Sequence, residues 1–290
     1  MAEKTVSIRM KGKNRLGLIM GGVFAACISF GANAQTYMEY VDSADNYIKR
    51  ERWADAERAT VAALQLKPAN KLNFHLWSNL GDIRTRLGDY DGALQAFDIA
   101  LASRPESPKV LCGRAYTYLE MGETSKAMSD IDKAIEKDST LAWPVRMRGT
   151  LLIGLGKYDE AERDFMRLKK VHPDDAGAFK GLGKIEAARG NSAKAIEYFR
   201  KSLEREKDDD TWFYLIMVLI EDDKLREAKE ELLVALKRYP RNGNLYLLRG
   251  VIHKKNYENE QAEIDKKIAL EYGADPHLVE NYFPASVIKN

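Results

Sequence analysis

The residues able to do chemistry are few and scattered. The four histidines, His75, His172, His253 and His277, lie far apart, and no H-E-x-x-H, P-loop or G-x-S-x-G stretch occurs. Gly181-Leu182-Gly183 lies inside a helical pattern with no strand before it, so it does not read as a dinucleotide loop. The acidic groups Asp174-Asp175 and Asp208–Asp210 fall between helical stretches, where solvated turns and helix N-caps account for them better than a metal does. Cys112 reads as a small residue within a helix rather than a nucleophile. Lys180 and Lys184, four residues apart, share one helix face. Such a pair suits an anionic group, or is a solvated lysine face. No catalytic, metal or cofactor constellation emerges, and binding is the remaining chemistry.

The elements that must position these residues repeat. Phe74 to Ser107 contains Trp77, Leu80-Gly81, Ala93, Phe97 and Pro105. Gly88, Gly122, Gly156 and Gly190 recur every 34 residues, and Ala93, Ala127, Ala161, Ala195, Ala228 and Ala262 follow at steps of 34 or 33. Phe97, Ile131, Phe165, Phe199 and Leu232 hold the same phase, and Pro68, Pro105, Pro173 and Pro240 close their units. Each position has a physical task. The glycine after a first helix can take positive φ and end it, small residues let two helices approach, and proline stops the second helix. A single hairpin cannot bury its apolar face alone, so the units must stack.

The W-x2-L-G, A-x3-F and P spacing of Phe74–Ser107 resembles the tetratricopeptide repeat, although Arg84 stands where that family usually has Tyr. The resemblance covers Tyr37 to Pro276. It implies an all-α fold, a right-handed α-solenoid of about seven helix hairpins at 37–70, 74–107, 108–141, 142–175, 176–208, 209–242 and 243–276 within an array at 35–276. Lys71-Leu72-Asn73 is an insertion. The last two repeats degenerate: Asp223 replaces the turn glycine, with no glycine-only geometry implied, and Lys266 stands where Phe is expected. Residues 277–290 form a cap or tail.

Residues 1–34 read as a signal peptide. Lys4, Arg9, Lys11, Lys13 and Arg15 precede an apolar core from Leu16 to Phe30, and Ala32-Asn33-Ala34 is an A-x-A site with cleavage after Ala34. The core is broken by glycines and shorter than the about 20 residues of a membrane span. The expected location is the periplasm or cell envelope. The alternative is a lipoprotein anchored to the membrane through Cys27. Removing the leader takes away five basic residues and one acidic one, Glu3, and moves the formal charge from +2 to −2. The array therefore has no global charge to recruit nucleic acid. One cysteine then remains, so no internal disulfide is possible.

The resemblance also implies that positions 2, 5, 9 and 12 of each repeat point inward. At the first repeat these are Met38, Val41, Asp45 and Ile48; in the middle they include His75, Lys109, Trp143, Arg146, Lys180 and Lys184; toward the end they include Phe213, Met217, Ile220, Leu247 and Val251. The inner wall is thus expected to be apolar at both ends and basic in the middle, with few acids beside the cations. Lys180 and Lys184 match positions where carboxylate-clamp members hold a peptide C-terminus. The earlier clamp positions hold Cys112 and Tyr116 instead of Lys and Asn, so chaperone-tail binding is not expected. Family members bind proteins or peptides and are rarely enzymes. The expected role is a non-catalytic envelope scaffold for a protein or peptide partner, acidic where it meets Lys109, Arg146, Lys180 and Lys184. The alternative is a module for an anionic polymer such as a cell-wall glycan. Trp212–Ile220 is apolar all round and needs cover on both faces, for which the tail residues Val279, Tyr282 and Phe283 are the first choice over a partner or a second copy.

Overall fold

The computed structural model describes residues 36–70 and 73–284. The leader, its Ala34 site, Cys27, Lys71 and Leu72 of the insertion, and residues 285–290 lie outside them. Among the described residues every regular element is a helix. Helix α1 (36–49) pairs with α2 (Trp53–Leu66), α3 (Asn73–Leu87) with α4 (Tyr90–Ser103), and α5 (Pro108–Glu120) with α6 (Thr124–Lys137). These make one compact unit, and a second follows from Asp138. The second holds α7 (Ala142–Gly154) with α8 (Tyr158–Val171), α9 (Ala176–Ala188) with α10 (Ser192–Arg205), α11 (Asp209–Glu221) with α12 (Leu225–Arg238), α13 (Gly243–Lys255) with α14 (Asn259–Glu271), and a short α15 (Pro276–Tyr282). No described helix is long and apolar enough to cross a membrane.

The sequence punctuation sets the helix ends. Asp89, Asp175, Asp208 and Asn242 each accept a hydrogen bond from the amide three residues on, satisfying a donor that the first turn leaves orphaned. Pro68, Pro105, Pro173 and Pro240 each stand two residues after the last residue of a second helix. Gly88, Gly122, Gly156 and Gly190 have φ between +72° and +79°. Glu51, Asp223 and Tyr257 occupy the same turn with φ +56°, +56° and +64°. The expectation for Asp223 is therefore corrected. The turn is built by the hairpin, and the chain enters the left-handed region there even without glycine.

The periodic aromatics are knobs set between glycines. Phe165 of α8 is fully buried, and a Cβ placed on Gly149 or Gly181 would strike its ring. Phe97 stands likewise against Gly81 and Gly113, and Phe199 against Gly183. Phe97 and Phe165 thus each sit where two first helices lack side chains, which a Cβ would close, whereas Phe199 has Gly183 on one side and the stacked Tyr214 ring on the other. Hairpin seven breaks the pattern at Lys266, yet Gly250 still offers the notch. There a Cβ would lie 3.1 Å from Phe283, which is buried although it follows α15. The tail therefore supplies the ring that the seventh repeat lacks.

That corrects the expected cover for Trp212–Ile220. Helix α11 lies within a core built from α10, α12 and α13, and Trp212, Leu215, Ile216, Val218, Leu219 and Ile220 are buried. The tail chiefly caps α13 and α14. Val279 and Phe283 join the same core, and Tyr282 of α15 borders the surface that Met217 and Ile220 share.

Candidate partner-binding surfaces

In the first unit, Lys109 opens α5, is exposed, and donates to Asn79 Oδ1 of α3 at 3.3 Å. The same face carries His75 and Asp82. Burial, then Lys109 and Arg104, holds His75 below the ordinary imidazole value. Burial pushes the Asp82 carboxyl up to about 6, against the opposing pull of Lys109 and Arg86. Asp82 nonetheless keeps an open, exposed edge, and solvent screening there blunts the rise. Its oxygen occupies the space beside Gly113. Cys112 is buried, and burial pushes its thiol up to about 12, with Asp130 adding to the rise. That leaves it protonated and unreactive, as its place in a helix suggests.

In the second unit, Arg146 of α7 and Lys180 and Lys184 of α9 line one depression with Thr150, Ile153, Glu206 and Asp208. It exists because α9 is short of side chains. A Cβ on Gly177 would lie 2.5 Å from Arg146 Cδ, and Phe165 fills the space over Gly181. Trp143 is 40% exposed on α7 and does not line this depression.

The expectation of few acids beside these cations is corrected. Lys180 Nζ lies 3.1 Å from Asp208 and 3.2 Å from Asp210, and Lys184 Nζ lies 3.3 Å from Asp210 and 3.9 Å from the Tyr214 ring centroid. Arg146 lies 3.6 Å from Asp175. Burial pulls the Lys180 value down, but Asp208 and Asp210 outweigh it and hold the ammonium above its ordinary range. Burial raises Asp208, and the Thr211 hydrogen bonds with Lys180 outweigh that and hold it low. This is a closed network of opposite charges. Asp210 stands at position 2 of its repeat, one of the inward positions, so the repeat frame already contained it.

A second depression lies between α11, α13 and α15. Met217, Ile220, Leu248 and Val251 form its floor, and Glu221, Lys254, Lys255, Tyr257 and Tyr282 its rim, around a volume of about 520 Å³. Of the apolar residues expected here, Met217, Ile220 and Val251 line it. Phe213 is half-buried, its ring edge-on to Tyr214, and Leu247 is fully buried rather than inward-facing. Lys254 Nζ donates to the Tyr282 carbonyl at 2.8 Å, and Lys255 stands 3.8 Å from Asp223. Burial raises the Tyr282 hydroxyl, and Glu221 adds to the rise.

One recurring feature was not anticipated. Arg114 and Asp130, Arg148 and Asp164, and Arg249 and Asp265 each form an ion pair between the two helices of a hairpin, sixteen residues apart. The carboxylates are buried and each arginine binds both oxygens, the geometry that compensates desolvation best. Aligning the repeats would have shown it, because Arg stands at position 7 and Asp at position 23 in three of them.

Known proteins agree with this architecture. A model of the tetratricopeptide repeat matches residues 41–108, 78–142 and 146–210. A solved tetratricopeptide repeat protein from Parabacteroides merdae is 28% identical, covers 86% of this chain and 97% of its own, and superposes with a TM-score of 0.70. The Cut9–Hcn1 assembly of the APC/C shares the fold at 16% identity and TM-score 0.64, over 84% of this chain and 54% of that one. Among curated proteins, the Hsp70-Hsp90 organizing protein of Triticum aestivum is 27% identical over 218 residues, 70% of this chain and 35% of that one. DnaJ homolog subfamily C member 3 of Bos taurus is 30% identical over 126 residues, 42% and 25% respectively. The chain thus spans about a third or less of these curated relatives. Tetratricopeptide-repeat proteins act as protein–protein interaction scaffolds and are typically non-catalytic. With its periodic glycines, its ring-filled notches and this match over more than half its length, the chain belongs to the tetratricopeptide repeat family.

Proposed function

We propose that the chain is a non-catalytic scaffold of the cell envelope that holds a segment of a partner protein against the first helices of its hairpins. One observation carries the reading. In the second unit, both depressions are lined mainly from the first helices α7, α9, α11 and α13, at the inward positions of the repeat. The depression between α11, α13 and α15 is concave with an apolar floor and a few polar groups at its rim, which is the kind of surface where ligands bind, and the depression around Arg146, Lys180 and Lys184 is polar. The envelope location rests on the leader sequence at residues 1–34.

No observation favours an anionic polymer as the ligand. The cations that would hold one, Arg146, Lys180 and Lys184, stand among Asp175, Asp208 and Asp210. The same pairing argues against a purely acidic segment at the middle of the array.

A photo-crosslinking amino acid placed at Met217 or Lys184, with Leu233 as an outward control at 73% exposure, tests the reading in envelope extract. The expected result is one partner joined from Met217 or Lys184 and not from Leu233. Equal capture from Leu233 would overturn it.

A further inference from the structure

We infer that the depression between α11, α13 and α15 receives an apolar side chain of a partner peptide, with an acidic residue beside it on Lys254 and Lys255 and the Tyr257 ring closing over it. The inference rests on the scaffold reading above and names the chemistry of the segment that this surface takes.

Three observations converge. The floor is hydrocarbon, from Met217, Ile220, Leu248 and Val251, and the volume of about 520 Å³ falls within the about 300–1,000 Å³ of ligand pockets. A floor of this kind rewards an apolar anchor and offers no hydrogen bond to a polar one. The rim is different in charge. Lys254 spends its ammonium on a backbone carbonyl and lies over the Phe283 ring, and Lys255 approaches Asp223 only at 3.8 Å. Lys180 and Lys184, by contrast, are held by aspartates at 3.1 to 3.3 Å. Of the inward-facing cations of this unit, those at the α13 rim are the ones least committed to a carboxylate. Glu221 and Asp223 balance the two lysines in number, but among the described residues Lys254 has no carboxylate partner and Lys255 only a distant one, so an acidic flank finds its complement here in these two ammonium groups.

The third observation concerns Tyr257. Its turn is one where four other hairpins carry glycine, and its φ of +64° costs a side chain strain that glycine avoids. The ring is nonetheless 89% exposed at the rim of the depression. It neither fills a core nor relieves the turn. A strained, solvent-exposed aromatic beside an apolar floor is placed to cover a ligand.

The test uses the full chain and labelled, end-blocked synthetic peptides with a central Leu or Phe flanked by Glu, Ser or Lys. Binding is read by anisotropy, and the site by amide shifts in the labelled protein. Glu-flanked peptides should bind more tightly than Ser-flanked ones by about fivefold at low salt, with the difference shrinking as salt rises. Lys255→Glu, alone and with Lys254→Glu, should turn that preference toward Lys-flanked peptides. Met217→Glu should abolish binding. Tyr257→Gly should raise the melting temperature and weaken binding together, a pair of effects that no structural role for the ring would give. Flank-independent binding at this site would overturn the acidic residue. Peptides that shift α7 and α9 instead would remove this depression as the site while leaving the scaffold reading intact. Peptides that bind nowhere would overturn this inference. The crosslinking from Met217 and Lys184 then decides the scaffold reading separately.

Discussion

Gly181→Ala and Gly154→Ala are the same change on neighbouring first helices, and the packing predicts opposite signs. At Gly181 the new Cβ would stand 2.5 Å from both Cε atoms of Phe165, and closer still to Cζ. Carbon atoms rest at about 3.5–4.0 Å, so the ring would have to retreat by about 1 Å or more. It has nowhere to go, because on its other side a Cβ on Gly149 would lie only 2.6 Å from the same ring. Overpacking a closed core costs about 1–3 kcal/mol, and a ring pinned from both sides places this change at the upper end. Alanine returns about 1 kcal/mol through helix propensity, leaving a net loss of about 2 kcal/mol. At Gly154 a Cβ meets nothing within 4 Å, so only the propensity gain remains, about 0.5–1 kcal/mol at the end of a helix. Urea unfolding followed by circular dichroism reads both, the first as a midpoint lowered by about 0.7–1 M for a slope near 2–3 kcal/mol/M. Phe165→Leu should be destabilising in the parent and partly restorative with Gly181→Ala, since the two positions share one space. A Gly181→Ala variant as stable as Gly154→Ala would refute the account of the rings as knobs between glycines.

Other substitutions test the remaining features. Gly156→Val should cost more than about 1 kcal/mol through its positive φ, and Asp223→Val should lose a similar amount, whereas Asp223→Gly should gain about 0.5–1 kcal/mol in the same melts. Asp164→Ala leaves Arg148 without its buried carboxylate and should cost about 2–3 kcal/mol, whereas Glu197→Ala, whose pair with Lys201 is exposed, should leave the melt nearly unchanged. Asp82 binds its proton more tightly folded than unfolded, so its contribution to stability should fall as pH rises from the ordinary carboxylate value through about 6. Its open edge makes that slope shallower than full burial would give, and Asp82→Asn should abolish it in melts taken across this range. Removing residues 277–290 should uncover the Gly250 notch and raise dye binding and self-association. Lys266→Phe should lessen that effect by restoring a ring to the hairpin itself.

The hairpins were legible because the marks of a repeat are local. A glycine that must turn left, a proline that cannot continue a helix and an alanine under a neighbouring helix act within one unit, so their spacing survives in the sequence. Phe283 was legible only as a tail residue near an apolar run. Its partner is Gly250, and that relation appears once Lys266 is seen to leave a notch open that every other ring-bearing repeat closes. Asp223 misled for a different reason. Glycine marks the turn when present, but the turn is imposed by two helices packing together, and its absence therefore says nothing about φ.

The charges were the least legible, and the reason is geometric. Counting cations at inward positions treats each first helix as if it faced solvent alone. Adjacent first helices bring position 5 of one repeat beside the N-cap and position 2 of the next. Lys180 thereby meets Asp208 and Asp210 across 28 and 30 residues, and Arg146 meets Asp175 across 29. Those acids are there for the helix. Asp175 and Asp208 accept first-turn amides, where a negative charge is also favoured by the helix dipole. A cation one repeat earlier is thus neutralised by the capping requirement of its neighbour, and basic residues in the interior of such an array are poor predictors of an anionic ligand. The rule does not reach every lysine. Position 5 of hairpin seven is Leu247, and Lys254 and Lys255 stand at positions 12 and 13, away from any following N-cap. Lys254 donates to the Tyr282 carbonyl and Lys255 approaches Asp223 only at 3.8 Å, so among the described residues Lys254 is the one of the two without a carboxylate partner. Placing an acid there should therefore act as the internal caps do. Tyr282→Asp, on α15 beside Lys254, should weaken any acidic peptide at this depression while leaving a Ser-flanked one nearly unchanged. Equal loss for both peptides would mean that Tyr282 contributes packing and that the charge argument fails at the array's end.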